Sequence, residues 1–258
     1  MELSYEVITP QTNAKYKIQA LSYGDELDLK SVVVASESGI TKQFNKVLYK
    51  TLLEKPDAIK SEDDFLNNTT IMDRLALVAG LYHISYGNEY ISKTQCPQCG
   101  KLNQNKILLD KHSKMVPYDK GKTPFDFLNL KEIFSVQGID GTPLNLVFKA
   151  PTLRKETLLS DTIEGMEIDP SIINILLYLD KITSDKGELL LDKNIMEIIT
   201  IIKNQPAMVI RNMKQKLVDV FDKYYFKTEI KIKCKHCGNM YTEELDFIEQ
   251  FFRNVIQA

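Results

Sequence analysis

A chain of 258 residues with 43% hydrophobic side chains has room for one large core or two modest ones and does not depend on staples to fold. Its formal charge of −2 supplies no global field for nucleic acid or an anionic membrane, so any such contact must be local. No apolar run approaches the roughly 18 residues of a membrane span. Met1 to Val7 lack the basic start and apolar run of a signal peptide, which points to a reducing cytoplasm.

Leu3 to Ile8 and Lys15 to Ala20 read as two strands around a turn at Pro10 to Asn13, because apolar residues alternate and turn formers separate the runs. Helices are expected over Asp25 to Ser36, Ile40 to Leu53 and Thr70 to Tyr86, the second carrying Phe44, Val47, Leu48 and Leu52 at helical spacing. Thr70 with Asp73 resembles a capping box, and Gly87 stands where a terminating glycine belongs. Glu62, Asp63 and Asp64 read as a solvated face or as helix-start electrostatics. An extended piece, Glu89 to Gln95, leads into Cys96-Pro97-Gln98-Cys99-Gly100, and the chain returns through Lys106 to Leu109. His112 to Thr123, basic and turn-rich, is expected to be an exposed loop.

The pattern then begins again. Strands at Ile133 to Gln137 and Leu144 to Lys149 flank the turn signal Gly138-Ile139-Asp140-Gly141. Helices are expected over Thr152 to Leu159, Pro170 to Ile182, Leu191 to Ile202 and Pro206 to Phe221. Tyr224 to Lys233 alternates as a strand, with Thr228, Ile230, Ile232 and Cys234 on one face, and delivers Cys234-Lys235-His236-Cys237-Gly238. A helix at Asp246 to Gln257, bearing Phe247, Ile248, Phe251, Phe252, Val255 and Ile256, would pack on its own domain or dock into a partner. The expected organisation is an N-terminal half (1–110), a linker (111–130) and a C-terminal half (131–258). The matching order of hairpin, helices, strand and cysteine pair is either an internal repeat or the recurrence of a common pattern.

The fold class expected is α+β: helical segments with β-hairpins and a discontinuous zinc ribbon formed by two Cys-x-x-Cys knuckles. The chain has four cysteines, and all lie in these two pairs. Two intervening residues let both thiolates of a pair reach one ion from a tight turn, and the following glycine supplies the positive φ that the turn needs. Cys96, Cys99, Cys234 and Cys237 are therefore the expected ligands of one structural zinc per chain, a closed four-thiolate site without an open position for substrate. Buried or redox-active thiols, a disulfide frame and an iron–sulfur cluster are the competing readings.

No catalytic set assembles from the sequence. Of three histidines, His236 lies inside a knuckle, His112 in the basic stretch and His83 on a helix. Gly121-Lys122-Thr123 ends like a phosphate-binding loop, but Val116 stands where its first glycine is required. Lys93, Lys101, Lys231, Lys233 and Lys235 surround the knuckles and favour an alternative reading, a zinc-ribbon nucleic-acid-binding or transcription accessory protein. Glu89, Glu229, Glu243 and Glu244 share those hairpins and argue for ordinary solvated lysines.

Arg74-Leu75-Ala76-Leu77, Ile84-Ser85-Tyr86-Gly87-Asn88-Glu89-Tyr90 and the Cys96 to Gly100 knuckle together resemble a family of baseplate hub and hub-assembly proteins, chaperones included, of T-even-type contractile-tailed bacteriophages. Lys15 to Leu21 before the Asp25 helix, and Leu144 to Ala150 running into Pro151-Thr152, are similar again. The resemblance implies a non-enzymatic structural or assembly protein of the tail baseplate hub. Its implied partners are other baseplate and tail proteins, with no small-molecule substrate, and its place is the host cytoplasm during assembly or the virion tail.

Overall fold

The computed structural model describes residues 4–30, 37–118, 123–138, 140–245 and 247–248. A mixed α+β architecture results, as expected. Strands β1 (Ser4–Ile8) and β2 (Lys15–Gln19) pair as an antiparallel hairpin, with Tyr5 opposite Ile18 and Val7 opposite Tyr16. Helices α1 (Tyr23–Lys30) and α2 (Glu37–Lys50) follow. The second was expected to run to Leu53. It stops at Lys50, and β3 (Leu52–Glu54) pairs with β2 instead. Burial of Leu52 beside Ile18 and the 2.8 Å ion pair of Lys17 with Glu54 favour the sheet over three more helical residues.

The acidic run opens a helix of its own, α3 (Glu62–Asn68), with a complete capping box between Ser61 and Asp64. Helix α4 (Ile71–Tyr86) is capped by the Thr70 hydroxyl and ends at Gly87, whose φ of 87° requires glycine. Hairpin β4 (Glu89–Gln95) and β5 (Leu102–Leu108) carries the first knuckle. A short helix α5 (Leu109–His112) follows, and strand β6 (Ser113–Val116) lies within the stretch from His112 to Thr123 where a loop was expected. Strand β6 is the edge of a sheet, and its mostly exposed side chains give it the polar, basic composition of a loop.

Strands β7 (Glu132–Gln137) and β8 (Pro143–Phe148) form the expected second hairpin, followed by α6 (Leu153–Ile163). The helix expected over residues 170–182 divides into α7 (Pro170–Tyr178) and β9 (Leu179–Ser184), which turns back through β10 (Gly187–Leu190). Leu179 and Ile182 are buried against Phe148 and Leu146 of β8, so the apolar run that looked helical crosses into the sheet. Helices α8 (Leu191–Lys203) and α9 (Ala207–Leu217) follow, the latter relaxing into a π-turn at Val218–Asp222. Strands β11 (Tyr225–Lys233) and β12 (Met240–Glu244) carry the second knuckle, and β6 pairs with the other edge of β11. Of the expected terminal helix, Phe247 packs its ring against Tyr82 and Tyr90; most of that segment lies outside the described residues.

Two hydrophobic cores result. The first gathers β1 to β5 and α1 to α4 around Phe44, Phe65 and Leu77, and it also takes in Ile230 and Ile232 of β11. The second gathers residues from Tyr118 to Phe221 around Phe127, Phe148 and Leu176. The chain thus leaves the first core, builds the second and returns.

The cores meet at the start of α4. Thr70 and Thr152, the N-caps of α4 and α6, form an antiparallel bridge, with reciprocal bonds from Ile71 N to Pro151 O (3.1 Å) and from Leu153 N to Thr69 O (3.0 Å). One turn further along each helix, Arg74 makes a bidentate pair with Glu156 at 2.5 and 2.8 Å. The Arg74 side chain is only 6% exposed. The β1–β2 turn spans both cores: Gln11 donates its amide N–H to Asp73 at 2.8 Å and its side-chain amide to Phe221 O at 2.8 Å. Tyr118 N donates to Pro10 O, and Phe125 N to Thr12 O.

Arg74→Ala should destabilise the protein by about 2–4 kcal/mol in urea unfolding, since it leaves Glu156 without its partner in a half-buried site. Burial raises the Asp73 carboxyl to about 6 despite the N–H donors of Gln11 and Thr12. Its unfolded value is about 3.9, so the native state binds the proton more tightly, and this group adds stability as pH falls from about 6 to about 4. In a pH series of unfolding curves, Asp73→Asn should lack that contribution over the same window.

Candidate metal centre

Both knuckles close by the same backbone device. In the first, Gly100 N donates to Cys96 O at 2.8 Å and Cys96 N to Lys101 O at 3.0 Å. In the second, Gly238 N donates to Cys234 O at 3.0 Å and Cys234 N to Asn239 O at 2.8 Å. Gly100 and Gly238 have φ of 68° and 76°, the left-handed conformation that other residues enter only with strain. Each turn aims two sulfurs off the tip of a rigid hairpin.

The fold brings the two tips together although the cysteines that meet are 135 to 141 positions apart in sequence. Alternation places Tyr90, Ser92 and Thr94 of β4, and Asn103 and Ile107 of β5, on the inner face of one hairpin. Ile230 and Ile232 of β11 and Tyr241 and Leu245 beside them face inward from the other. Tyr90, Ile107, Ile230, Ile232 and Leu245 share the first core, and Thr94 Oγ1 lies 3.0 Å from Tyr241 Oη between the hairpins.

All four sulfurs lie within 4.8 Å of one another, with Cys96 and Cys237 at 3.6 Å and Cys99 and Cys234 at 3.7 Å. A tetrahedron of thiolates about 2.3 Å from a central ion has edges of about 3.8 Å. A disulfide requires about 2.05 Å, and all four thiols are free, so the disulfide frame is not what the fold builds. The geometry fits one metal ion held by four sulfurs, with Cys96 and Cys234 buried and Cys99 and Cys237 exposed.

The local field is uneven. Desolvation opposes ionisation of Cys234, but the amides of Cys237 and His236 and the Asn103 side chain outweigh it and bring the thiol down to about 5. Cys237 goes the other way, to about 12: the Asn239 amide favours its thiolate, yet desolvation and the neighbouring sulfurs prevail. Four thiolates this close repel one another, and a dication relieves that repulsion.

Each site residue singled out in the sequence has a place. The four cysteines converge, and they form the one cluster of metal-ligating side chains found among the described residues. The histidines do not join it. His236 contributes its backbone N–H to Cys234 Sγ at 3.4 Å, His83 packs its ring on Tyr5 at 4.8 Å, and His112 is exposed. Lys93, Lys101, Lys231, Lys233 and Lys235 are exposed, and Lys235 Nζ donates to Gln104 O at 2.6 Å. Acidic groups interleave with them: Glu89 pairs with Lys106 and Glu229 with Lys227, each at 2.5 Å. Asn103, 1% exposed and in contact with Cys234, is a site residue that the sequence reading missed. Its one signal was its position on the inward alternation of β5.

An α+β protein whose metal-ligating side chains concentrate in a four-cysteine cluster between two hairpins is the class that fold and site define. A family model described as T4 bacteriophage base plate protein matches residues 2–253, nearly the whole chain, and the chain belongs to that family. No curated protein and no solved structure matches it. The family makes this a T4-type phage baseplate protein, in agreement with the resemblance carried by Arg74 to Gly100. No helix among the described residues is long and apolar enough to cross a membrane.

Proposed function

We propose that the protein is a non-enzymatic structural or assembly component of the central hub of a contractile phage tail baseplate, acting through protein surfaces on other baseplate and tail proteins. It would meet them in the host cytoplasm during assembly and could stay with them in the virion tail. The observation that carries this reading is the family match over residues 2–253.

In this proposal one structural zinc is bound by Cys96, Cys99, Cys234 and Cys237, making the two knuckles a discontinuous ribbon. Four thiolates suit zinc, complete its coordination and leave no position for a substrate, so the ion would hold shape and take no part in a reaction. We take the chain as two halves joined across 111–130, with the second cysteine hairpin returning to the first. An ion that joins ligands more than 130 residues apart in sequence closes a long loop, and because the site exists only in the folded chain its binding free energy adds to that of folding.

Two experiments test these statements separately. Disrupting the gene in its phage should abolish complete baseplates in electron micrographs of lysates, with recovery when the intact gene is supplied in trans. Normal tails from the disrupted phage would remove the hub assignment. Metal analysis of protein purified under reducing conditions should give one zinc per chain. Cys96→Ser and Cys234→Ser should each lower the zinc content and cost about 3 kcal/mol or more, on the order of 10 °C in Tm. Metal-free protein with unchanged Tm would remove the zinc.

A further inference from the structure

Asn103 stands on β5, four residues beyond Cys99, buried between the two knuckles. Its amide meets three partners. Oδ1 accepts the Lys235 backbone N–H at 3.0 Å, while Nδ2 donates to Lys101 O at 3.2 Å and reaches Cys234 Sγ at 3.6 Å. The orientation of the amide follows from these contacts, because a backbone N–H can only donate and a backbone carbonyl can only accept. Reversing it would set donor against donor and acceptor against acceptor. The backbone of both knuckles therefore fixes an NH₂ group against one sulfur.

The matching position after the second knuckle shows what is particular to Asn103. Four residues beyond Cys237 is Tyr241, and it too reaches the opposite hairpin, but its partner is the Thr94 hydroxyl. The two positions act as clasps in opposite directions, with different chemistry. Cys234 is the cysteine that a side-chain N–H meets, and the His236 backbone N–H adds a second bond at 3.4 Å.

We propose that Asn103 is a positioning residue of the metal centre: it docks the second knuckle on the first before an ion binds, and its N–H draws charge from the Cys234 sulfur. The inference rests on the reading that the four cysteines hold zinc. Without the amide, Lys235 N–H and Lys101 O each lose a buried partner, and ion binding must itself supply the final ordering of the two knuckle tips, whose hairpins the first core already holds side by side. The Cys234 sulfur would also become a stronger electron donor.

The test uses the full chain, wild type and the variants Asn103→Ala and Asn103→Asp. Zinc affinity is measured by chelator competition, and the thiolate-to-metal charge-transfer band is recorded with cobalt(II) in place of zinc. Asn103→Ala should bind zinc about 10–100-fold more weakly. Its cobalt band should move to lower energy, a change that a merely architectural role would not produce. Asn103→Asp keeps an acceptor for Lys235 N–H but loses the N–H to sulfur, so its band should shift likewise even where Asn103→Ala folds poorly. Folded variants with affinity within about twofold of wild type and an unmoved band would overturn the proposal. Failure of both variants to fold would also count against it, as the outcome expected of a purely architectural asparagine. If wild type takes up neither zinc nor cobalt, the metal reading itself fails; if wild type loads and the variants match it, only the role of Asn103 fails.

Discussion

The first turn of α4 is where the rest of the molecule is attached. Within five residues, Thr70 caps the helix and bridges to Thr152, Asp73 receives the β1–β2 turn, and Arg74 clamps Glu156. The sequence suggested a capping box in which Asp73 turns back on its own cap. The carboxylate instead accepts from Gln11 and Thr12, far away in sequence, while Thr70 accepts from Asp73 N. A carboxylate at a helix N-terminus is favoured by the helix dipole, and here that local preference serves a tertiary contact. The cost is burial, which leaves Asp73 less acidic than an ordinary aspartate.

The same turn explains why two cores behave as one protein. Gln11 and Thr12 rest on α4 of the first core, while Gln11 Nε2 and Pro10 O reach Phe221 and Tyr118 of the second. The chain then comes back through β11, which contributes Ile230 and Ile232 to the first core and pairs with β6. The chain crosses between the cores, so loss of order in one is felt by the other. The four-cysteine cluster sits at the far end of this return, where β11 leaves the core and its hairpin meets the first.

Much of this was legible because it is local. The β1–β2 and β7–β8 hairpins, the caps at Thr70 and Gly87, and the glycine after each cysteine pair are dictated by neighbours in sequence. The cysteine pairs were legible for another reason: their chemistry has few uses, and the two halves of the motif match. What the sequence did not reveal depends on distant partners. Leu179 to Ile182 and Leu52 join strands only because β8 and β2 lie beside them, and β6 is a strand only because β11 offers an edge. Asn103 looks like any polar strand residue until Lys235 and Cys234, more than 130 positions later, come to lie against it.

That separation also sets a schedule. The hairpin bearing Cys96 and Cys99 can form as soon as β5 is made, yet its sulfur partners are synthesised 135 or more residues later. At roughly 5–20 residues per second, the first knuckle waits on the order of ten seconds as an open pair of thiols. The second core is made entirely within that interval. The cluster therefore becomes possible only after the second core has been made, and a chain cut short between Cys99 and Cys234 carries half of it.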